Sequence, residues 1–254
     1  MDYFKNQRGT TVSWYKNCVR TSKSLEDADY VGVAFEDISA VFQVFQDKNT
    51  VLEVFRMDFH GKSEGKRCQE KLISILKNHK IGIFEITVME PKDILEILLL
   101  LDPESLKRLR VTGSLKRGDA EELGSQDMEE MVRMEQWKGL EELEIREIWI
   151  QTPIQNFFHL KRINVAFKEV TVEMVLELKE AYLSLTQMEY LEIHYETSNS
   201  KEKLIQLHGP PLEETSRFGV TTWKWFFKIP EFQLSLSICY VRNSIIFDCV
   251  NEEN

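Results

Sequence analysis

The sequence predicts an α/β fold in which a parallel sheet is backed by helices and closed at the C-terminus by antiparallel strands. Three observations carry that reading. An apolar spacing of first, fourth and sixth positions recurs at Ile81/Phe84/Ile86, Leu106/Leu109/Val111, Leu140/Leu143/Ile145, Leu160/Ile163/Val165 and Met188/Leu191/Ile193, with a weaker copy at Leu52/Phe55/Met57. Segments with helical periodicity lie between these copies. Towards the C-terminus Trp223, Trp225, Phe227 and Ile229 alternate with polar residues, and Phe232, Leu234, Leu236, Ile238 and Tyr240 alternate again.

In each copy the last two apolar residues are two apart, so on an extended strand they share a face, and that face must be buried. Strand and helix in short alternation imply parallel strands joined by right-handed crossovers. First positions follow one another at intervals of 29, 25, 34, 20 and 28 residues, near the roughly 20 to 29 residues of leucine-rich repeats but irregular. The turn asparagine or cysteine of such repeats is replaced by Met89, Ser114, Ile148, Lys168 and Glu196. The sheet is therefore read as leucine-rich-repeat-like and degenerate.

Taken in order, residues 1–30 form an N-terminal segment, and residues 31–59 are read as a β-rich cap, a short meander turning at Asp47-Lys48-Asn49. Strand and helix repeats fill residues 60–197. Within them Cys68, Leu72, Ile75 and Leu76 trace one helical stripe, and Val172, Val175, Leu176, Leu178 and Leu183 trace another interrupted by Lys179. Pro91 before Ile94, and Thr171 followed by Glu173, mark helix starts. The acidic stretch from Asp119 to Glu135 keeps Met128, Met131, Val132 and Met134 for a buried stripe. It reads as a solvated helix face, with an acidic docking surface as the alternative. In Glu135–Ile145 (EQWKGLEELEI), Trp137 anchors a helix end beneath the strand that follows. Residues 198–215, with Pro210-Pro211, read as a loop, and 216–250 as antiparallel strands; residues 31–254 are taken as one domain.

Composition narrows the function classes. With 43% hydrophobic residues among 254, the chain can bury a sizeable core. Its 42 acidic against 32 basic side chains give a net charge of -10, which repels a phosphate backbone, so no nucleic acid is expected as a partner. The longest apolar run, from Ile94 to Leu101, falls far short of the roughly 20 residues a membrane helix needs. Cys18, Cys68, Cys239 and Cys249 lack a C-x-x-C spacing, the N-terminus lacks a signal peptide's apolar core, and there is no glycosylation sequon. A cytoplasmic or nuclear protein with reduced thiols is expected.

No assembled chemistry is visible. Phosphate-cradling glycine loops and a G-x-S-x-G elbow are absent. His60, His79, His159, His194 and His208 have no metal-ligand spacing, and Cys239 and Cys249 sit in apolar runs rather than in the electropositive surroundings that activate a thiolate. If the turn at Arg242-Asn243 is tight, these two thiols lie on neighbouring strands and could approach each other. No catalytic, cofactor or metal residue is assigned. The polar positions between the repeated apolar ones stand out instead: Arg108/Arg110, Glu142/Glu144, Arg162/Asn164 and Tyr190/Glu192/His194, alternating in sign from strand to strand. They suit cross-strand ion pairs, or a partner-binding face made of Arg162, Asn164, Tyr190, Glu192 and His194 with Tyr190 as anchor.

Gln136-Trp137-Lys138 with Leu143-Glu144-Ile145, then Val170-Thr171 leading to Leu178-Lys179-Glu180, then Phe227-Lys228-Ile229-Pro230 with Leu236, Ile238 and Ile246-Phe247, resembles the nematode F-box-associated FTH domain. The likeness runs from about residue 55 to 250. It implies a module that captures a target protein, alongside an F-box that docks on a Skp-type adaptor of a cullin ubiquitin ligase. An F-box is not evident here, since residues 1–50 hold no proline and read partly as strands. The expected function is a non-catalytic protein-interaction module. The alternatives are a ligase substrate receptor, reaching a Skp-type adaptor if an F-box is present in the full gene product, and an enzyme gathering its site from different repeats.

Overall fold

The spaced apolar residues form the strands expected of them. The computed structural model describes residues 2–6, 9–16, 19–26, 29–47, 49–58, 62–77, 79–113, 121–184, 187–217, 219–229 and 234–251. Cys18, Lys48, His60, Ser114, Asp119, Pro230 and Phe232, singled out above, lie outside them. Three antiparallel strands come first, β1 (Asp2–Asn6), β2 (Gly9–Lys16) and β3 (Val19–Glu26), in their own sheet. There follow α1 (Tyr30–Asp47), β4 (Leu52–Met57), α2 (Lys62–Ile75), β5 (Ile81–Val88), α3 (Asp93–Leu98), β6 (Arg108–Gly113), β7 (Glu121–Leu123), α4 (Ser125–Arg133), α5 (Glu135–Lys138) and β8 (Glu142–Ile150). A 3-10 turn at Ile154–Phe157 leads to β9 (Arg162–Val170), α6 (Val172–Ser184), β10 (Tyr190–Ser198), α7 (Ser200–His208), β11 (Glu213–Arg217), β12 (Val220–Lys228), β13 (Leu234–Val241) and β14 (Ser244–Asn251).

These make an 11-stranded sheet in the order β11-β12-β13-β14-β10-β9-β8-β6-β5-β4, with β7 also beside β8. Pairing is parallel from β4 to β10 and antiparallel from β10 outward through β14, as the strand-helix alternation and the C-terminal single alternation require. The repeat spacing becomes one row across the sheet: Phe55, Phe84, Leu109, Leu143, Ile163 and Leu191 are register partners in turn, and the row continues to Phe247, Ile238 and Trp225. Every member is buried. Each such side chain contributes about 1.5–3 kcal/mol of burial free energy, so this row and the helices on it hold the sheet.

Trp137 sits in α5, 1% exposed, with its ring edge-on to Phe157 at 5.7 Å and its carbonyl 3.0 Å from His159 Nε2. The acidic helix α4 buries Met128 and Met131 and turns its carboxylates outward.

Two readings are corrected. Residues 31–47 of the expected β-rich cap belong to an 18-residue helix, Tyr30–Asp47, and only β4 is strand. Val31, Phe35, Ile38 and Phe42 recur at helical spacing and pack on the core, with Phe42 stacked on His79 at 4.5 Å. The abundance of Val and Phe, which favours strands, masked that period. Asn49, at φ 49, makes the turn between helix and strand. Within the expected loop 198–215, Ser200–His208 is helical and Glu213–Arg217 is an edge strand. Leu204 and Ser200 are that helix's buried residues, too few to announce it among Lys and Glu. Gly209, at φ 81, ends it ahead of the two prolines.

The β8 strand carries an irregularity that sequence did not suggest. Register slips between Glu144 and Trp149, and Glu147 adopts φ 61. A Cβ on Gly113 would lie 2.8 Å from the Glu147 carbonyl oxygen, so glycine lets β6 end against this bulge.

Candidate functional site

On each parallel strand, the residues between the buried ones point to the other face of the sheet. Their register is continuous. Arg56, Glu85, Arg110, Glu144, Asn164 and Glu192 are partners in turn across β4, β5, β6, β8, β9 and β10. A second row two residues earlier runs Arg108, Glu142, Arg162, Tyr190 and Asp248. Arg56, Arg146 and Arg162 on this face are exposed, while the opposite face is covered by helices.

The sign alternation resolves into ion pairs on the N-terminal half of the face. Arg108 Nη2 donates to Glu142 Oε1 at 2.6 Å, and its Nε stands 2.6 Å from Oε2. The Glu142 carboxylate thereby holds the Arg108 guanidinium more firmly protonated. Arg110 donates Nη1 to Glu85 at 2.7 Å and Nε to Glu144. Arg146 also pairs with Glu144, and Arg56 reaches Glu85 at 3.8 Å. Glu85 and Glu144 are each shared by two arginines.

The five residues expected to read a partner lie together on β9 and β10. Arg162 places its guanidinium 5.2 Å from the centre of the Tyr190 ring and only 3.7 Å from Glu189. The Tyr190 hydroxyl donates to Glu192 Oε2 at 3.0 Å, and Asn164 Nδ2 donates to the same oxygen at 3.2 Å. His194 Nε2 is 3.6 Å from Glu192 Oε1, and its Nδ1 is 2.8 Å from Ser244 Oγ. Partial burial, reinforced by the hydrogen bond to Glu192, pushes the Tyr190 phenol up to about 12. Tyr190 is therefore neutral and fixed in place, its one O–H committed to Glu192 and one ring face against a cation. That pattern of a fixed aromatic among polar neighbours suits contact with another protein.

Arg56, Glu85 and Arg146 belong to the same face and were not singled out from sequence. The signal for the first two was present: each fills the fifth position of its repeat copy, as Arg110, Glu144, Asn164 and Glu192 do in theirs. A depression of about 160 Å³ lies on this face, bordered by Arg108, Arg110, Glu142, Glu144, Arg162, Asn164 and Tyr190.

Other chemistry-bearing residues stay apart. Among the described residues no three His, Cys, Asp or Glu side chains are grouped as a metal would need. Cys239 and Cys249 are on neighbouring strands, but Cys239 faces Ile246 and Cys249 faces Leu236, which puts the thiols on opposite faces of the sheet. Burial pushes both thiols up, the reverse of activation. No helix among the described residues is long and apolar enough to cross a membrane.

Comparison with known proteins agrees with the motifs around Trp137 and along α6. The FTH domain matches residues 66–207, more than half of the sequence. The chain belongs to the FTH domain family. The matched region takes in the strands from β5 to β10, and so most of the polar face. F-box A protein 224 of Caenorhabditis elegans is 22% identical over 196 residues, covering 74% of this chain and 48% of that relative. The FTH chain thus spans about half the length of the curated relative it matches. No solved structure matches it.

Proposed function

We propose that this FTH domain protein is a non-catalytic protein-interaction module that captures its partner on the open face of the sheet, with Arg162, Asn164, Tyr190, Glu192 and His194 at the centre. One observation carries the reading. Among the described residues nothing covers the polar face of strands β4 to β10, and Tyr190 is fixed on it by Glu192 and Arg162. Family membership supports the same role. The cysteine spacing supports a cytoplasmic or nuclear setting. Affinity capture with the intact folded chain should return a specific protein partner; recovery of nothing above background contradicts the proposal.

A second reading is favoured by the relative's name as an F-box protein. In it, the captured partner is the substrate of a ubiquitin ligase reached through a Skp-type adaptor. A purified adaptor should then bind the whole chain or residues 1–50, and failure to bind removes this reading without touching the first.

A further inference from the structure

We infer that the helical side of the fold carries a second, separate docking site, a groove along α6 that receives a basic amphipathic helix of a partner protein. Helix α6 packs Val175, Leu178, Ala181 and Tyr182 into the core, on the side of the sheet opposite the polar face. The site therefore goes beyond the reading above and does not depend on it. The groove has a volume of about 540 Å³, against about 160 Å³ for the depression on the polar face. Gln155 and Phe158, in and just after the 3-10 turn, border it on one side, and Leu176, Glu177, Glu180, Ala181 and Ser184 of α6 border it on the other.

The spacing along α6 sets the shape of the occupant. Leu176, Glu180 and Ser184 fall four residues apart, as do Glu177 and Ala181, so they form two ridges of the kind between which a second helix packs. From Leu176 to Ser184 the ridge runs about 12 Å, a little over two turns. Phe158 and Leu176 pack on the core yet stay partly exposed, and Ala181, only 4% exposed, puts a short side chain between them and Ser184. An apolar side chain of the arriving helix is buried against Phe158, Leu176 and Ala181, the arrangement by which an amphipathic helix lies in a hydrophobic groove.

Charge selects the flanks of that helix. Among the described residues the charged groups bordering the groove are Glu177 and Glu180, both exposed, and no basic side chain borders it. Glu177 accepts from the neutral amide of Gln155 through Oε2, which leaves Oε1. Glu180, its side chain 69% exposed, meets Lys179 at 2.9 Å through Oε1, which leaves Oε2. Lys179 itself is 12% exposed, with Nζ 5.0 Å from the centre of the Phe227 ring, so it offsets one of the two carboxylates from within. Lys or Arg side chains on either flank of the apolar stripe reach the remaining oxygens. The net charge of -10 attracts a basic segment to the chain as a whole, and the apolar floor decides where it settles.

The test uses the full chain, isotope-labelled at Leu and Ala methyl groups, titrated with three peptides of one length: a Leu/Lys peptide with its leucines at helical spacing, the Leu/Gln counterpart, and the Ala/Lys counterpart. The Leu/Lys peptide should shift the Leu176 and Ala181 methyl signals, bind about tenfold or more tightly than either counterpart, and weaken as salt rises. Its affinity should fall about tenfold in a Glu177→Gln/Glu180→Gln double variant and in Ser184→Trp, which fills the end of the groove from an exposed position, but not in Glu130→Gln on α4, each variant being checked for an unchanged unfolding midpoint. Equal binding of the Leu/Gln peptide overturns the basic partner, and equal binding of the Ala/Lys peptide overturns the apolar groove. No shift at Leu176 and Ala181, or shifts confined to Leu207 and Leu212, which are exposed elsewhere, overturn the site altogether. The reading of the polar face around Tyr190 stands in every one of these cases.

Discussion

The two faces of the large sheet are built from the same strands, residue by alternate residue, and they are held by different physics. On one, Phe55, Phe84, Leu109, Leu143, Ile163 and Leu191 sit in register beneath the helices and are sealed from water. On the other, Arg56, Glu85, Arg110, Glu144, Asn164 and Glu192 occupy the same strands and stay in contact with solvent. Apolar burial contributes kcal/mol per side chain, while half-exposed ion pairs contribute tenths, because water and salt screen them. The fold therefore depends chiefly on the first face.

The contrast breaks most visibly on the buried side. Trp137→Ala should lower unfolding stability by about 3–5 kcal/mol in urea titration, the cost of truncating a large core aromatic; a loss under about 1 kcal/mol would place the indole outside the core. Gly113→Ala should cost about 1–3 kcal/mol, because its Cβ meets the Glu147 carbonyl at 2.8 Å and either the bulge or β6 must move. An unchanged midpoint would show that the bulge yields freely. Tyr240→Phe removes a buried hydroxyl 2.9 Å from Ser200 Oγ and should cost about 1 kcal/mol.

On the open face the same measurement should barely respond. Arg162→Ala is expected to change stability by less than about 1 kcal/mol, since its side chain is half exposed and its ion pair is long. A larger loss would mean that this face also carries the fold. The smallest effect is in titration. Folding raises the Tyr190 phenol from 10.0 to about 12, so the folded state favours the protonated form. The stability linked to this proton is complete below pH 10 and disappears as pH rises through about 12. Alkaline absorbance titration of the chain against Tyr190→Phe should show one phenol with a midpoint near 12. A midpoint near 10 would mean that the ring is neither partly buried nor bonded to Glu192.

What could be read in the sequence follows the same division. The buried row was legible because apolar residues two apart must share a face, and six copies of the spacing gave six parallel strands. The helix Tyr30–Asp47 was not, because its Val and Phe residues favour strands while Val31, Phe35, Ile38 and Phe42 keep a helical period. Helix Ser200–His208 offered one large apolar residue, Leu204, to a core otherwise built by its neighbours. On the polar face, Arg162 and Tyr190 were identified as neighbours on adjacent strands, yet Arg56 and Glu85 were missed although they fill the same repeat position. The Arg162 position over the Tyr190 ring, and the sharing of Glu144 by Arg110 and Arg146, depend on side-chain rotamers that spacing does not specify.

The central claim is that recognition lives on the open face while stability does not. It is tested most directly by affinity capture with the native chain and with an Arg162→Ala/Tyr190→Ala double variant, each accompanied by its unfolding midpoint. A partner protein captured by the native chain and lost from the variant, with midpoints within about 1 kcal/mol of one another, is the predicted result. The same partner retained in full by a folded variant would contradict the account.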